Sequence, residues 1–193
     1  MSDTRRTSGD TSGELRLLGL LILAWAILLA CGLLANQETP VAPNIEIASM
    51  DFTVRNITQT RLSANWDLLI RVPSNLPNAY ICLQGDIQAS LFYKTINLVT
   101  SSAQRYIDLK SGTAQQIRVS VEEDIDGLIR KRIIKDIKEK REVKFGSQLF
   151  LTDCRKGTTG VMSYACDITM LRFEPGSETK ASKFGDNPSC FNF

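Results

Sequence analysis

The sequence contains no histidine. That absence excludes Ser-His and Cys-His nucleophile pairs, His-ligated zinc and an imidazole pH switch. Phosphate-cradling loops of the GxxxxGKS/T or GxGxxG type are missing too. Charge of one sign is also lacking: 23 basic and 21 acidic side chains leave +2, too little for a nucleic-acid binder. Aromatics make up only 7% of the 193 residues, while apolar residues reach 43%. This fits a globular or membrane chain and not a disordered one. The expectation is a protein without cofactor, metal or catalytic residues, and not an enzyme.

What is present is unevenly spread. Residues 17–35 read LLGLLILAWAILLACGLLA without one charge. As a helix this reaches about 28 Å, close to the hydrocarbon core of a bilayer. The apolar run is longer than that of an ordinary signal peptide, and it is apolar on every face, unlike a buried soluble helix. The pattern predicts a single transmembrane helix acting as a signal anchor. Arg5, Arg6 and Arg16 precede it, and the next basic residue is Arg55. Basic residues favour the cytosolic side, so the N-terminus should be cytosolic and the rest outside, a type II single-pass topology. Residues 1–16 are polar and rich in Ser, Thr and Gly, the composition of a disordered tail, and 36–44 (NQETPVAPN) read as a linker.

Residues 45–193 are enough for one domain with a proper core. Leu62, Ala64, Trp66, Leu68, Ile70 and Val72 alternate with more polar neighbours, as in a half-buried antiparallel strand. Ile81 to Tyr93 hold one parity over a strand that is long or bent near Gly85. Between them PSNLPN (73–78) is a turn by composition. Over 45–57, Ile45 and Ile47 share one parity and Phe52 and Val54 the other, which a β-bulge would produce. Further strands are expected at 104–110, 115–121, 147–154 and 161–173, the last two joined by RKGTTG. In the last of them Met162, Tyr164, Cys166, Ile168 and Met170 share a face. Ile125, Leu128, Ile129, Ile133, Ile134 and Ile137 recur at helical steps, with Glu122, Glu123, Asp124 and Asp126 at the start and Lys135, Lys138, Lys140 and Arg141 at the end. That polarity complements a helix dipole over 123–140. The fold expected is mainly β: an antiparallel β-sandwich of about seven strands with one helix.

Among the five cysteines, Cys31 falls in the apolar segment, and Cys82, Cys154, Cys166 and Cys190 lie beyond it. Four such residues allow three pairings, and disulfides are expected in an oxidising compartment. A bridge between Cys166 and Cys190 would tie down the C-terminal tail and contribute about 3 kcal/mol. Asn56-Ile57-Thr58 is the usable glycosylation sequon, since Asn187 is followed by Pro188. The acidic cluster reads as helix-terminal charge and lacks the calcium-loop pattern of ligands and glycine. The basic stretch reads as a solvated helix face. Its sharper reading is contact of Arg130, Lys131, Lys135, Lys138, Lys140 and Arg141 with an anionic surface, either lipid headgroups or a cell-wall polymer.

The order of these parts resembles a plant family. LSANWDLLIRVPSNLPN (62–78) is similar to the family's alternating strand running into an Asn-Pro-Asn turn, with Leu76 in place of the first Asn. YICLQGDIQASLFYKTINL (80–98) is similar to the long strand that follows, and QRYIDLKSGTAQQIRVSV (104–121) to the next two. This is the group 2 late-embryogenesis-abundant (LEA-2) domain of the non-race-specific disease resistance and harpin-induced-like proteins. The resemblance implies a plasma-membrane protein with an apoplast-facing sandwich, paired C-terminal cysteines Cys166 and Cys190, a role in plant defence (hypersensitive response) or stress response, and no catalysis. Its partners would be the membrane, proteins, anionic lipid or wall polymer. The other reading is a domain that binds lipid or a hydrophobic ligand at the membrane surface.

Overall fold

The computed structural model describes residues 20–29, 44–155, 158 and 160–193. It divides into two units, residues 1–41 and 42–193. In the first, α1 covers residues 20–29, and all ten are exposed, Leu20, Trp25 and Leu28 among them. Among the described residues no helix is long and apolar enough to cross a membrane. The remainder of the expected span over 17–35, with Cys31, the tail 1–16 and the linker up to residue 43, lies outside the described residues.

In the second unit, β1 (Ile45–Ile57) and β2 (Arg61–Val72) pair antiparallel along nearly their whole length. The register shifts between Ile47 and Ser49, and again between Val54 and Asn56. The first shift is the bulge that the parity switch predicts, and it lets Ile45, Ile47, Met50, Phe52 and Val54 all reach the core. β2 pairs on its other side with β6 (Gln115–Asp126). These three strands form one half of the domain.

The other half is built from β3 (Gly85–Tyr93), β4 (Ile96–Thr100), β5 (Gln104–Tyr106), β7 (Glu142–Thr152) and β8 (Val161–Phe173). β3 starts at Gly85 because the chain there is pressed against Tyr106 and Thr152: a Cβ would stand 2.7 Å from Tyr106 Oη and 2.8 Å from Thr152 Oγ1. Ile81 is still fully buried, held by isolated bridges to Pro77 and Asp153. The turn at 73–78 forms around Leu76, whose amide donates to Pro73 O and whose carbonyl accepts from Ala79, Tyr80 and Ile81. Leu76 is fully buried, so this turn contributes a side chain to the core.

Two short strands join the halves. β9 (Lys180–Lys183) lies between β1 and β8 near Phe52 and Phe173, and β10 (Ser189–Asn192) lies between them near Ile45 and Cys166. Among the described residues the result is one ten-stranded antiparallel sheet with the order β4-β3-β7-β8-β10-β1-β2-β6, β5 pairing β3 and β9 pairing β1 and β8 beside that path. This corrects the expected sandwich of about seven strands: the faces do pack together, but through a continuous hydrogen-bonded sheet. Phe52 and Trp66 of one half meet Phe145 of the other at 5.3 and 5.4 Å between ring centroids. At the far seam, the Gln104 amide donates to Ser120 O (2.7 Å) and accepts from Ser120 N (3.1 Å). A side chain thus supplies the ladder bonds that the exposed edge of β6 lacks.

Two further expectations are corrected. The strand expected over 104–110 shrinks to β5, and the shared face of Met162 to Met170 breaks at a bulge in β8. Past the register shift, Thr169, Leu171 and Phe173 point inward, and Ile168 is 68% exposed. Ile168→Asp should therefore change the unfolding free energy of the full chain by no more than about 0.5 kcal/mol, whereas Leu171→Ala should cost about 2–5 kcal/mol. Denaturant titration checks both, and an Ile168 variant as damaging as the Leu171 one would refute the bulge.

Candidate functional site

The basic segment of the sequence becomes α2 (Gly127–Lys140). It begins later than the periodicity predicts. Residues 123–126 continue β6, because Ile117, Val119, Val121 and Ile125 keep strand parity and all four are buried. The strand ends where Gly127 takes φ +61°, a backbone region that glycine enters without steric cost. Of the four acids only Asp126 stands at the helix start, as its N-cap residue without a side-chain capping bond, and none lies in the first turn. Glu122 pairs instead with Arg55 (3.3 Å) and Asp124 with Arg61 (3.5 Å), across the outer face of the three-stranded half. Sequence reasoning missed these arginine partners because only the strand register brings them alongside.

α2 buries Ile133 and Ile137 and partly buries Ile129 and Ile134, while Leu128 is 70% exposed. Its six expected surface cations differ in role. Arg130 donates to Thr58 O at the end of β1, and its Nε is buried. Arg141 closes the helix with φ +54°, and its backbone amide donates a hydrogen bond to Ile137 O. Its guanidinium donates to Glu174 O (2.6 Å) and Ser177 O (2.8 Å), which ties the helix end to the β8–β9 loop. These two are structural braces. Lys135 forms a loose pair with Glu139 at 3.8 Å, and Lys140 a close one with Asp136 at 2.7 Å. Lys131 and Lys138 are exposed and carry no ion pair among the described residues. The free basic face is thus smaller than the sequence implies, centred on Lys131, Lys135 and Lys138.

Asp136 is the polar centre of the region. It accepts from Tyr93 Oη at 2.6 Å and from Lys140 at 2.7 Å. Burial alone would raise its carboxyl, but the hydrogen bonds from Lys140 and Tyr93, aided by the charges of Lys140 and Lys94, outweigh that and hold it below the ordinary carboxylate value. Burial, and then the bond to Asp136, push the Tyr93 hydroxyl well above its ordinary value. Its own hydrogen bond to Asp136 raises the Lys140 ammonium. Nothing in the sequence marked Tyr93 and Asp136 as partners, since they come from elements far apart in the chain.

The remaining candidates fall elsewhere. Cys166 and Cys190 face each other across β8 and β10 and form a disulfide, and Cys82 and Cys154 form a second. Asn56 is exposed near the end of β1, opposite Ser63. Among the described residues no three metal-ligating side chains cluster together.

Comparison with known proteins adds one partial match. A family described as "Protein of unknown function (DUF1163)" matches residues 125–192, which is α2 and the strands β7 to β10, less than half of the chain. No curated protein matches. Among solved structures, a protein from Archaeoglobus fulgidus is similar at 10% identity over 67% of this chain and 98% of that one, with a TM-score of 0.38. At that score the likeness carries no assignment of fold or activity.

The depressed Asp136 carboxyl stabilises the fold above its unfolded pKa of about 3.9, and that contribution is lost as pH falls through the lower folded value. Asp136→Asn should therefore be less stable than the parent near neutrality, and the gap should narrow as pH drops from about 5 to about 2. Unfolding free energies across that range check it; a gap independent of pH would contradict the assigned hydrogen bonds.

Proposed function

We propose that this is a membrane-anchored, non-enzymatic interaction protein of the plant plasma membrane. Its sheet domain faces the apoplast and binds anionic wall polymer through the free face of α2, in defence or stress response. The observation that carries the reading is the polarity of the domain. The chain enters it at Ile45, and α2 starts at the other end of β1, where Arg130 reaches Thr58. Thirteen strand residues separate the two ends by about 40 Å. The free basic face of α2, with Lys131, Lys135 and Lys138 exposed at that end of the domain, is the surface such a polymer would meet.

Other features support the reading. Residues 17–35 are uncharged, and α1 within them exposes apolar side chains all round, as a helix solvated by lipid does. The disulfides Cys82–Cys154 and Cys166–Cys190 suit an oxidising compartment. Asn56 is exposed and open to a glycan. The resemblance to LEA-2 domains supplies the link to defence and stress. The interior is filled by Phe52, Trp66, Phe145 and Tyr164, which favours this reading over an acyl chain held inside the sheet.

Two measurements test it. In sealed microsomes the sheet domain should resist added protease until detergent is present; digestion without detergent would refute the topology. With the full chain in nanodiscs of neutral lipid, polygalacturonate should bind at low salt. Replacing Lys131, Lys135 and Lys138 together by Gln should weaken that binding about tenfold, and added salt should mimic the loss. Binding unchanged by the triple variant would remove α2 as the contact.

A further inference from the structure

The wall of the sheet has a notch where β3 stops short of β7. Their last pairing is Phe92 opposite Gly146. β7 runs back a further four residues to Glu142, with β8 alone beside it. α2 and the turn after Tyr93 stand around the gap and leave a recess of about 340 Å³, at the lower end of the range for small-ligand sites.

Two local features hollow out this recess. Gly146 contributes no side chain, although a Cβ there would meet nothing closer than Phe92 Cβ at 3.6 Å. The bulge in β8 falls opposite Gly146 and turns Ile168 out onto the same surface. The apolar lining is Ile168, Val143 and the Tyr93 ring, and the polar lining is mostly cationic. Lys94, Lys140 and Lys144 stand around it with Asp136 and Glu142. Both acids are already engaged, Asp136 by Lys140 and Tyr93, and Glu142 by Arg172 at 2.7 Å. Lys94 and Lys144 carry no ion pair among the described residues. Lys94 lies with its Nζ 5.6 Å from the Tyr93 ring centroid. An apolar surface thus adjoins two exposed lysines that form no direct ion pair among the described residues, Lys94 beside the Tyr93 ring and in the field of Asp136, and Lys144.

We infer that this notch binds a small organic anion with an apolar body, its carboxylate met by Lys94 and Lys144 and its body laid on Ile168 and the Tyr93 ring. The apolar lining excludes a fully hydrated anion as the preferred ligand, since it would lose water without covering that surface. The two lysines favour an acid over a neutral apolar compound of the same shape, through attraction to its carboxylate. The size of the recess suits an aryl or short alkyl acid and not a peptide. The inference is independent of the membrane anchor and of the outward face of α2, so failure of either leaves it standing.

The probe is 4-phenylbutanoate, with 4-phenylbutanamide and inorganic phosphate as comparators. Each is titrated by calorimetry into the full chain in nanodiscs of neutral lipid, and empty nanodiscs give the background. The acid should bind saturably, at least tenfold more tightly than either comparator. Lys94→Ala with Lys144→Ala should weaken it about tenfold, and Gly146→Leu should abolish it by filling the recess. The lysines are exposed, so their replacement should leave the unfolding midpoint unchanged even if the Gly146 variant folds poorly. Equal affinity for the acid and its amide, phosphate binding as tight as the acid, or an unchanged lysine double variant would each overturn the proposal.

Discussion

The domain depends on a junction of eight residues. β9 and β10, four residues each, supply the hydrogen bonds between β8 and β1. Without them the half made of β1, β2 and β6 and the half around β7 would each present a bare strand edge, an invitation to pair with another chain. The rings of Phe52, Trp66 and Phe145 meet because this junction holds the two halves face to face. Each short strand buries only one apolar side chain, Ala181 or Cys190. Their own burial is therefore too small to hold them, and the Cys166–Cys190 bridge fastens the second to β8.

Much of this architecture can be read in the sequence where a strand is long and one face is buried. β2 shows it through Leu62 to Val72, and the bulge in β1 shows in its change of parity. The same method misleads at β8, because Ile168 and Met170 continue an alternation that the backbone interrupts. It also misleads at the start of α2. Acids before a helical stripe look like dipole partners, yet Ile125 belongs equally to the strand pattern of Ile117, Val119 and Val121. β9 and β10 have no periodic signal, since one inward residue makes no period. Pairing of Cys166 with Cys190 was implied by the family resemblance, and the pairing of Cys82 with Cys154 follows only once β3 and β7 are neighbours.

The basic segment shows a similar division. Its charge is plain in the sequence, but charge alone does not say which cations are spent internally. Arg130 and Arg141 serve backbone carbonyls of distant loops, a use suited to the planar guanidinium fork. The lysines keep most of the remaining exposed charge. The Tyr93–Asp136–Lys140 group then anchors the helix against the end of β3, so the notch and the basic face share one support.

The direction of β1 has a mechanical consequence. A load applied where the chain enters at Ile45, and resisted by something gripping α2, runs along the strands and not across them. The bonds between β1 and β2 then share the tension in shear and must fail together, instead of opening one at a time as a zipper would. Beside the loaded end, Ile45 pairs with Cys190, which is covalently fixed to Cys166. Such an arrangement resists separation of its two ends in shear.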